Sequence, residues 1–207
     1  MDTSRNYSAT LLPGGKSSRS KSITLFVTTL LLVLLISGSA LAQATNPPTL
    51  VVTAMNAGRF YGDDNPQFTG TVTGLKEGDT ITVSYTTVAN PGSSVGSYTI
   101  VPSLNDPDNQ LGNYVVIVNN ATLTVSPAPL SIVADDLTRA AGTTNPAFTG
   151  SVSGVKNGEA ISATFDSPAT GSSDAGAYPI VPTLHDGSGK ISNYAVTISN
   201  GTLTITP

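Results

Sequence analysis

The chain of 207 residues contains no cysteine, no tryptophan and a single histidine, His185. Without cysteine it has neither disulfides nor a thiol for a lipid anchor, so packing alone must stabilise the fold. Charged residues make up 11% of the chain, against roughly 25% in an average soluble domain. Glycine and proline are both plentiful, with 20 and 14 residues, which favours a chain rich in turns.

The only long apolar run lies near the N-terminus. Arg19 and Lys21 precede fourteen uncharged residues, from Ile23 to Ile36, and Ala40 and Ala42 then form an A-x-A pattern. This order is typical of a secretory signal peptide, and the run is shorter than the roughly 20 residues that span a bilayer. We therefore predict a helical signal peptide at residues 1–42, cleaved after Ala42. The alternative is an uncleaved anchor, since 22 residues precede the run.

Basic residues become scarce once the predicted signal peptide is set aside. Four of the nine basic residues and one of the thirteen acidic ones lie in residues 1–42, which leaves five basic and twelve acidic residues and a net charge near −7. An acidic chain with so few Lys and Arg is a poor partner for nucleic acid or anionic lipid. We expect no nucleic-acid partner, and a membrane contact only through an uncleaved N-terminal segment.

The rest of the chain consists of two similar copies of one sequence. Residues 50–127 align with residues 130–207 at a constant offset of 80 without a gap, and 31 of the 78 pairs are identical. A fixed period of this kind indicates tandem duplication. The sequence thus predicts a linker at 43–49, a first module at 50–127, a two-residue linker at 128–129 and a second module at 130–207.

Each module has the pattern of short β-strands. Apolar and polar residues alternate around Phe68 and Val72, and again in 80–87 and 96–102, while no window has a sustained helical period. In residues 113–125 two β-rich runs meet at Asn120, and the second copy has Asn-Gly at this point, which is typical of a hairpin turn. With an opening strand at 50–54, six strands are expected per module.

A possible tyrosine corner bears on the fold class. Asp174, Gly176 and Tyr178 form D-x-G-x-Y, which is similar to the pattern in immunoglobulin-like sandwiches, where the phenol bonds to nearby backbone. The first copy has Ser94 in place of the acid. We predict all-β, small, sandwich-like (immunoglobulin-like) modules, with a β-grasp-like arrangement as the alternative.

The motifs in this order resemble the MBG domains of YGX type, which are repeated in bacterial surface and adhesin-like proteins. The resemblance covers both modules and is carried by residues 61–68 (YGDDNPQF), with support from 78–80, 96–100, 113–114 and 122–125. The second copy departs from it, since Ala141 replaces the tyrosine and residues 158–160 read Gly-Glu-Ala. The resemblance implies a structural or adhesive role and provides no catalytic residue, so any binding role of Tyr61 should be missing from the second copy.

Loop carboxylates raise the possibility of calcium, which takes six to eight oxygen ligands. The candidates are Asp63, Asp64, Asp106, Asp108, Asp135, Asp136 and Asp186. Only Asp106 and Asp186 occupy equivalent positions, so turn formation explains them better than a duplicated calcium site. We predict no metal or cofactor, with calcium as the alternative.

His185, Asp186 and Ser188 invite comparison with a hydrolase triad. A triad needs an oriented base and an oxyanion hole, whereas neighbouring strand residues point to opposite faces. The first copy has Asn105 in place of His185. No catalytic residue is predicted, and the protein is not expected to be an enzyme.

Phe60 and Tyr61 are the one candidate ligand contact, as a small aromatic platform for a carbohydrate. The second copy has Ala140 and Ala141 there. The sequence predicts a non-enzymatic, secreted or surface-displayed bacterial repeat protein that serves as an adhesin stalk, a spacer or a weak adhesion module. A carbohydrate-binding accessory module is the alternative. The expected partners are neighbouring repeat modules or cell-surface components, and glycans in the alternative.

Overall fold

The structure, a computed structural model, describes residues 46–207, and residues 47–207 form one compact unit. The predicted signal peptide at 1–42 and the first residues of the predicted linker lie outside the described residues. Within residues 46–207, no helix is long and apolar enough to cross a membrane.

Fourteen short strands make up most of the described chain. The first module contains β1 (Thr49–Ala54), β2 (Ala57–Phe60), β3 (Gly70–Thr73), β4 (Thr82–Thr86), β5 (Gly96–Asn105), β6 (Val115–Asn119) and β7 (Ala121–Ser126). The second contains β8 (Ala128–Ala134), β9 (Leu137–Ala140), β10 (Gly150–Ser153), β11 (Ile161–Asp166), β12 (Gly176–Asp186), β13 (Tyr194–Ser199) and β14 (Gly201–Thr206). One 3-10 turn precedes β6 (Leu111–Asn113) and one precedes β13 (Ile191–Asn193).

Both modules have the same two-sheet topology. A three-stranded sheet has the order β3-β1-β6, and a four-stranded sheet has the order β2-β7-β5-β4; the second module repeats these as β10-β8-β13 and β9-β14-β12-β11. The central strand of the smaller sheet is antiparallel to one neighbour and parallel to the other. The prediction of two tandem all-β modules is confirmed, and the helical turns in residues 46–207 are limited to the two 3-10 turns.

The period-two patterns of the strands produce the core. Leu50 and Val52 of β1 are fully buried, and they belong to one cluster with Val83 of β4 and Leu104 of β5 in the other sheet. Alternate residues of a strand point to one face, so an apolar residue at every second position gives the smaller sheet a surface that can pack against the larger one.

The predicted hairpin at Asn120 is wrong. β6 pairs with β1, whereas β7 pairs with β2 and β5, so the chain crosses from one sheet to the other at this residue. A side chain replaces strand pairing at the crossing, because Asn56 Oδ1 accepts a hydrogen bond of 2.8 Å from the Thr122 amide. In the second module the crossing is tight, since a Cβ on Gly201 would lie 2.3 Å from the Asp135 carbonyl oxygen. The small residue after Asn serves close approach between chain segments.

Two further details differ from the sequence prediction. Each module has seven strands rather than six, and the additional strands are β2 and β9. Both are four residues long, and each buries one arginine rather than a row of apolar side chains. Ala128 and Pro129 were expected to be linker but begin strand β8, so Pro127 is the one residue between the strands of the two modules.

The tyrosine-corner contact is confirmed in both copies. The Tyr98 hydroxyl donates to the Ser94 carbonyl oxygen at 2.8 Å, and the Tyr178 hydroxyl donates to the Asp174 carbonyl oxygen at 3.1 Å. Because the acceptor is a backbone oxygen, the acidic side chain is not required, which explains why Ser94 suffices.

Candidate functional site

In each module a buried arginine and the Asn of an Asn-Pro pair, Asn65 or Asn145, anchor one loop. Arg59, 8% exposed, donates from Nε to Asn65 Oδ1 at 2.8 Å and from Nη2 to the Asn90 carbonyl oxygen at 2.5 Å. Asn65 Nδ2 then donates to the Ala89 carbonyl oxygen at 2.7 Å. Arg139 and its equivalents form the same contacts in the second module. These bonds fix both ends of the loop at residues 61–64.

Tyr61 projects from that loop into the second module. Its side chain is 1% exposed, and its ring meets the Tyr194 ring edge to face, with centroids 5.6 Å apart and planes at 77°. The Tyr61 hydroxyl donates to Glu159 Oε1. The Tyr194 hydroxyl donates to Glu159 Oε2 at 2.7 Å and accepts from the Lys156 amide at 2.9 Å. One carboxylate thus binds two phenols, one from each module.

Two more polar contacts flank this carboxylate. Lys156 Nζ lies 2.8 Å from Asp63 Oδ1, the single ion pair within residues 46–207. Asn193 Oδ1 accepts a hydrogen bond of 3.0 Å from the Val95 amide, and the Asn193 side chain is 3% exposed. We call the junction the set of residues Tyr61, Asp63, Lys156, Glu159, Asn193 and Tyr194.

Gly62 is required for the close approach. It has a φ of +81°, and a Cβ at this position would lie 2.4 Å from Cβ of Lys156. Any other residue would be strained in the backbone and would displace the lysine that binds Asp63. The sequence Tyr-Gly-Asp therefore acts as one unit at the junction.

The base of the junction is a hydrophobic core shared by the two modules. One cluster of buried side chains contains Ile100 and Leu123 of the first module together with Leu130 and Ile161 of the second. Leu123 and Leu130 are 0% and 1% exposed. A continuous core across a module boundary couples the two modules, because separating them would expose this apolar surface to water.

The environment of the junction keeps its phenols protonated. Burial and the hydrogen bond to Glu159 raise the pKa of Tyr194 from 10.0 to about 12. The pKa of Tyr61 is raised for the same two reasons. A phenol that binds a carboxylate must keep its proton to donate, so both tyrosines remain donors across the neutral range.

The structure separates the two residues of the sequence-predicted aromatic platform. Phe60 is 50% exposed, whereas Tyr61 is buried in the junction. With the modules docked, only Phe60 is accessible to a ligand. The equivalent Ala140 and Ala141 are both exposed in the second module.

The carboxylates considered for calcium lie in separate turns. Asp186 accepts hydrogen bonds from the amides of Ser188, Lys190 and Ile191, and these bonds lower its pKa. Asp136 accepts from the Thr202 amide and Asp63 binds Lys156. In the part of the chain that the structure describes, no three His, Cys, Asp or Glu side chains converge on a point where a metal could sit.

His185 and Ser188 do not meet. His185 Nε2 lies 3.1 Å from Thr164 Oγ1 on the neighbouring strand, whereas Ser188 Oγ contacts Asp186 Oδ1 at 3.3 Å. The histidine therefore contacts a threonine across the sheet, and Asp186 is occupied in its own turn.

Sequence reasoning singled out Tyr61 but missed its partners. The contacts join residues 93 to 98 positions apart. The sequence does show that the partners recur in both copies. Lys76 matches Lys156, Tyr114 matches Tyr194, and positions 79 and 159 both carry an acid.

Comparison with known families agrees with this two-module structure. The family model for the MBG domain (YGX type) matches residues 50–124 and 130–204. The chain belongs to this family. The two MBG modules are tandem repeats, and Tyr61-Gly62 lies within the first matched range. A search of curated proteins found no match to the chain.

Proposed function

We propose that the chain is a non-enzymatic stalk or spacer of the bacterial cell surface, and that residues 1–42 direct its export. Its two MBG modules would set a fixed distance and orientation between whatever lies at either end. The observation that carries the proposal is the junction, where Tyr61 and Tyr194 share the Glu159 carboxylate above a common hydrophobic core.

A spacer must resist bending between its modules. A flexible spacer would have a long, glycine-rich and serine-rich linker between modules with separate cores. Here Pro127 alone separates β7 from β8, and the Lys156–Asp63 ion pair and the Tyr61–Glu159 hydrogen bond join the modules on either side of this residue. These contacts favour one relative orientation of the modules.

Weak adhesion is compatible with the same architecture. β6 carries four exposed apolar residues, Val115, Val116, Ile117 and Val118, at the edge of its sheet. Exposed edge strands can pair with strands of other proteins. A carbohydrate-binding role remains the second candidate, with Phe60 as its exposed aromatic residue.

The spacer is tested by the distance between two spin labels. The chain has no native cysteine, so Ser97→Cys on β5 and Ala177→Cys on β12 place one label at equivalent exposed positions of the two modules. In residues 43–207 we expect a single narrow distance distribution, which broadens in the Tyr61→Ala variant. A broad distribution in the wild-type background would contradict a rigid spacer.

The carbohydrate alternative is tested on the same protein with a glycan array and a calcium titration. The spacer proposal predicts no saturable binding of either. A saturable glycan signal that is lost in Phe60→Ala but kept in Tyr61→Phe would establish the accessory-module function in its place.

A further inference from the structure

The first module carries a second copy of the receiving half of the junction. Lys76, Asp79, Asn113 and Tyr114 lie 80 positions before Lys156, Glu159, Asn193 and Tyr194. The local geometry is also repeated. The Lys76 amide donates to the Tyr114 hydroxyl at 2.9 Å, the same length as in the second module, and the Tyr114 hydroxyl donates to Asp79. We call Lys76, Asp79, Asn113 and Tyr114 the receiving face.

This face differs from the junction in what covers it. Asn193 is buried beneath the first module and accepts the Val95 amide, whereas Asn113 is exposed. Leu75 is 36% exposed, while the equivalent Val155 is partly buried against the shared core. The exposed residues of the receiving face are those that a docked module would cover.

Lys76 occupies the place that a docking tyrosine would take. Its Nζ lies 5.7 Å from the centroid of the Tyr114 ring, in a cation–π contact. In the junction the equivalent Lys156 turns to Asp63 instead, and Tyr61 packs against Tyr194. Lys76 is exposed, whereas the Tyr114 ring beneath it is 8% exposed. A cation–π contact made by an exposed lysine is weak, so an incoming aspartate and tyrosine can displace the lysine and reach the ring.

We propose that the receiving face binds the Tyr-Gly-Asp loop of an MBG module on a separate polypeptide. The chemistry is that of the junction. The incoming phenol donates to Asp79, its ring packs against Tyr114, and its aspartate pairs with Lys76. A glycine between them is needed because a side chain would strike the lysine, as at Gly62.

A second copy of this chain cannot provide that loop. Its own Tyr61 is buried in its junction, and the corresponding loop of the second module reads Ala141-Gly142-Thr143. Gly142 keeps a positive φ of +76°, so the loop retains the backbone but lacks the tyrosine and the aspartate. The partner is therefore a different polypeptide whose MBG module presents a free Tyr-Gly-Asp loop.

The inference extends the proposed spacer, and it depends on the junction geometry rather than on cell-surface display. The test supplies the missing loop. A donor version of residues 43–207 carries Ala141→Tyr and Thr143→Asp, which restore Tyr-Gly-Asp at exposed positions, and Lys76→Glu, which disables its own receiving face. Sedimentation velocity and calorimetric titration then measure binding of this donor to wild-type protein.

We expect a saturable one-to-one complex between donor and wild type. Lys76→Glu in the acceptor should weaken it at least tenfold, since the aspartate then meets a like charge. A donor with Ala141→Tyr and Thr143→Lys should instead bind the Lys76→Glu acceptor and not the wild type. The matched control donor, Lys76→Glu alone, should not bind.

Failure of the inference would be unambiguous. Absence of a complex at about 1 mM, where even weak contacts are populated, would overturn it, provided the donor is folded. Equal binding to the wild-type and Lys76→Glu acceptors would also overturn it, since the contact would then not use the receiving face. Neither result affects the spin-label distance in the wild-type chain, which reports on the spacer alone.

Discussion

At the scale of single residues, Tyr61 joins the two modules through both its ring and its hydroxyl. Its sequence context drew attention to it as a possible ligand contact, and the structure places it between two modules instead. Its hydroxyl binds a charged acceptor, and bonds to charged groups contribute about 1.5–3 kcal/mol where neutral ones contribute about 1 kcal/mol.

Removal of the Tyr61 hydroxyl should therefore be costly. We expect Tyr61→Phe to lower the free energy of unfolding by roughly 1–3 kcal/mol, because Glu159 Oε1 loses its donor, and Tyr61→Ala to lower it by about 3–5 kcal/mol through the added cavity. Urea denaturation followed by circular dichroism measures both. Phe60→Ala, at the neighbouring exposed aromatic, is the matched control and should change stability by less than about 1 kcal/mol. Equal effects at 60 and 61 would contradict the junction.

Alkaline pH should destabilise the fold through the same residues. An unfolded tyrosine ionises near pH 10, whereas the folded pKa of Tyr194 is about 12, so the stabilisation is complete below pH 10 and is lost as pH rises to 12. Thermal melting temperatures measured across this range should fall, and Tyr194→Phe should flatten the decline relative to wild type. An identical decline in both proteins would show that Tyr194 does not contribute.

At the scale of elements, local patterns predict strands better than they predict their partners. Alternation in residues 96–102 identifies β5, because one face of it is buried. The Asn120 turn was misjudged because Asn followed by a small residue serves both a hairpin and a crossing between sheets. Strand β2 was missed because its buried residue is Arg59, and nothing in a single sequence distinguishes a buried arginine from an exposed one.

A glycine in β10 sets how closely the two sheets of a module approach. A Cβ on Gly150 would lie 2.3 Å from Cε1 of Phe165 and 2.4 Å from the Val133 carbonyl oxygen, and Gly70 is equally crowded by Tyr85. The aromatic residue of the larger sheet thus lies directly over the edge of the smaller sheet.

Gly150→Ala should accordingly disturb this packing. We expect the free energy of unfolding to fall by about 1–3 kcal/mol, the usual effect of overpacking. Gly112→Ala is the control, since a Cβ there would meet nothing within 4 Å. Urea denaturation of both variants measures the two free energies of unfolding. A decrease in Gly112→Ala as large as that in Gly150→Ala would mean that backbone freedom, rather than the Phe165 contact, explains the glycine at 150.

At the scale of the whole molecule, the sequence predicts the duplication but not the contacts that couple the two copies. The offset of 80 revealed two modules, and the family match covers both. The junction joins Asp63 to Lys156 and Tyr61 to Glu159, and such distant contacts leave no periodic trace in one sequence. The replacement of Tyr61 by Ala141 in the second copy was visible, and the structure shows what it removes, which is the phenol that binds Glu159 in the junction.

The central claim is that the junction makes two modules one cooperative unit, and calorimetry tests it most directly. For residues 43–207 we predict a single unfolding transition whose calorimetric and van't Hoff enthalpies agree, as two-state behaviour requires. Tyr61→Ala should lower the cooperativity or divide the transition in two. Two resolved transitions in the wild-type protein, unchanged by Tyr61→Ala, would contradict the claim, because they would show that the modules unfold independently.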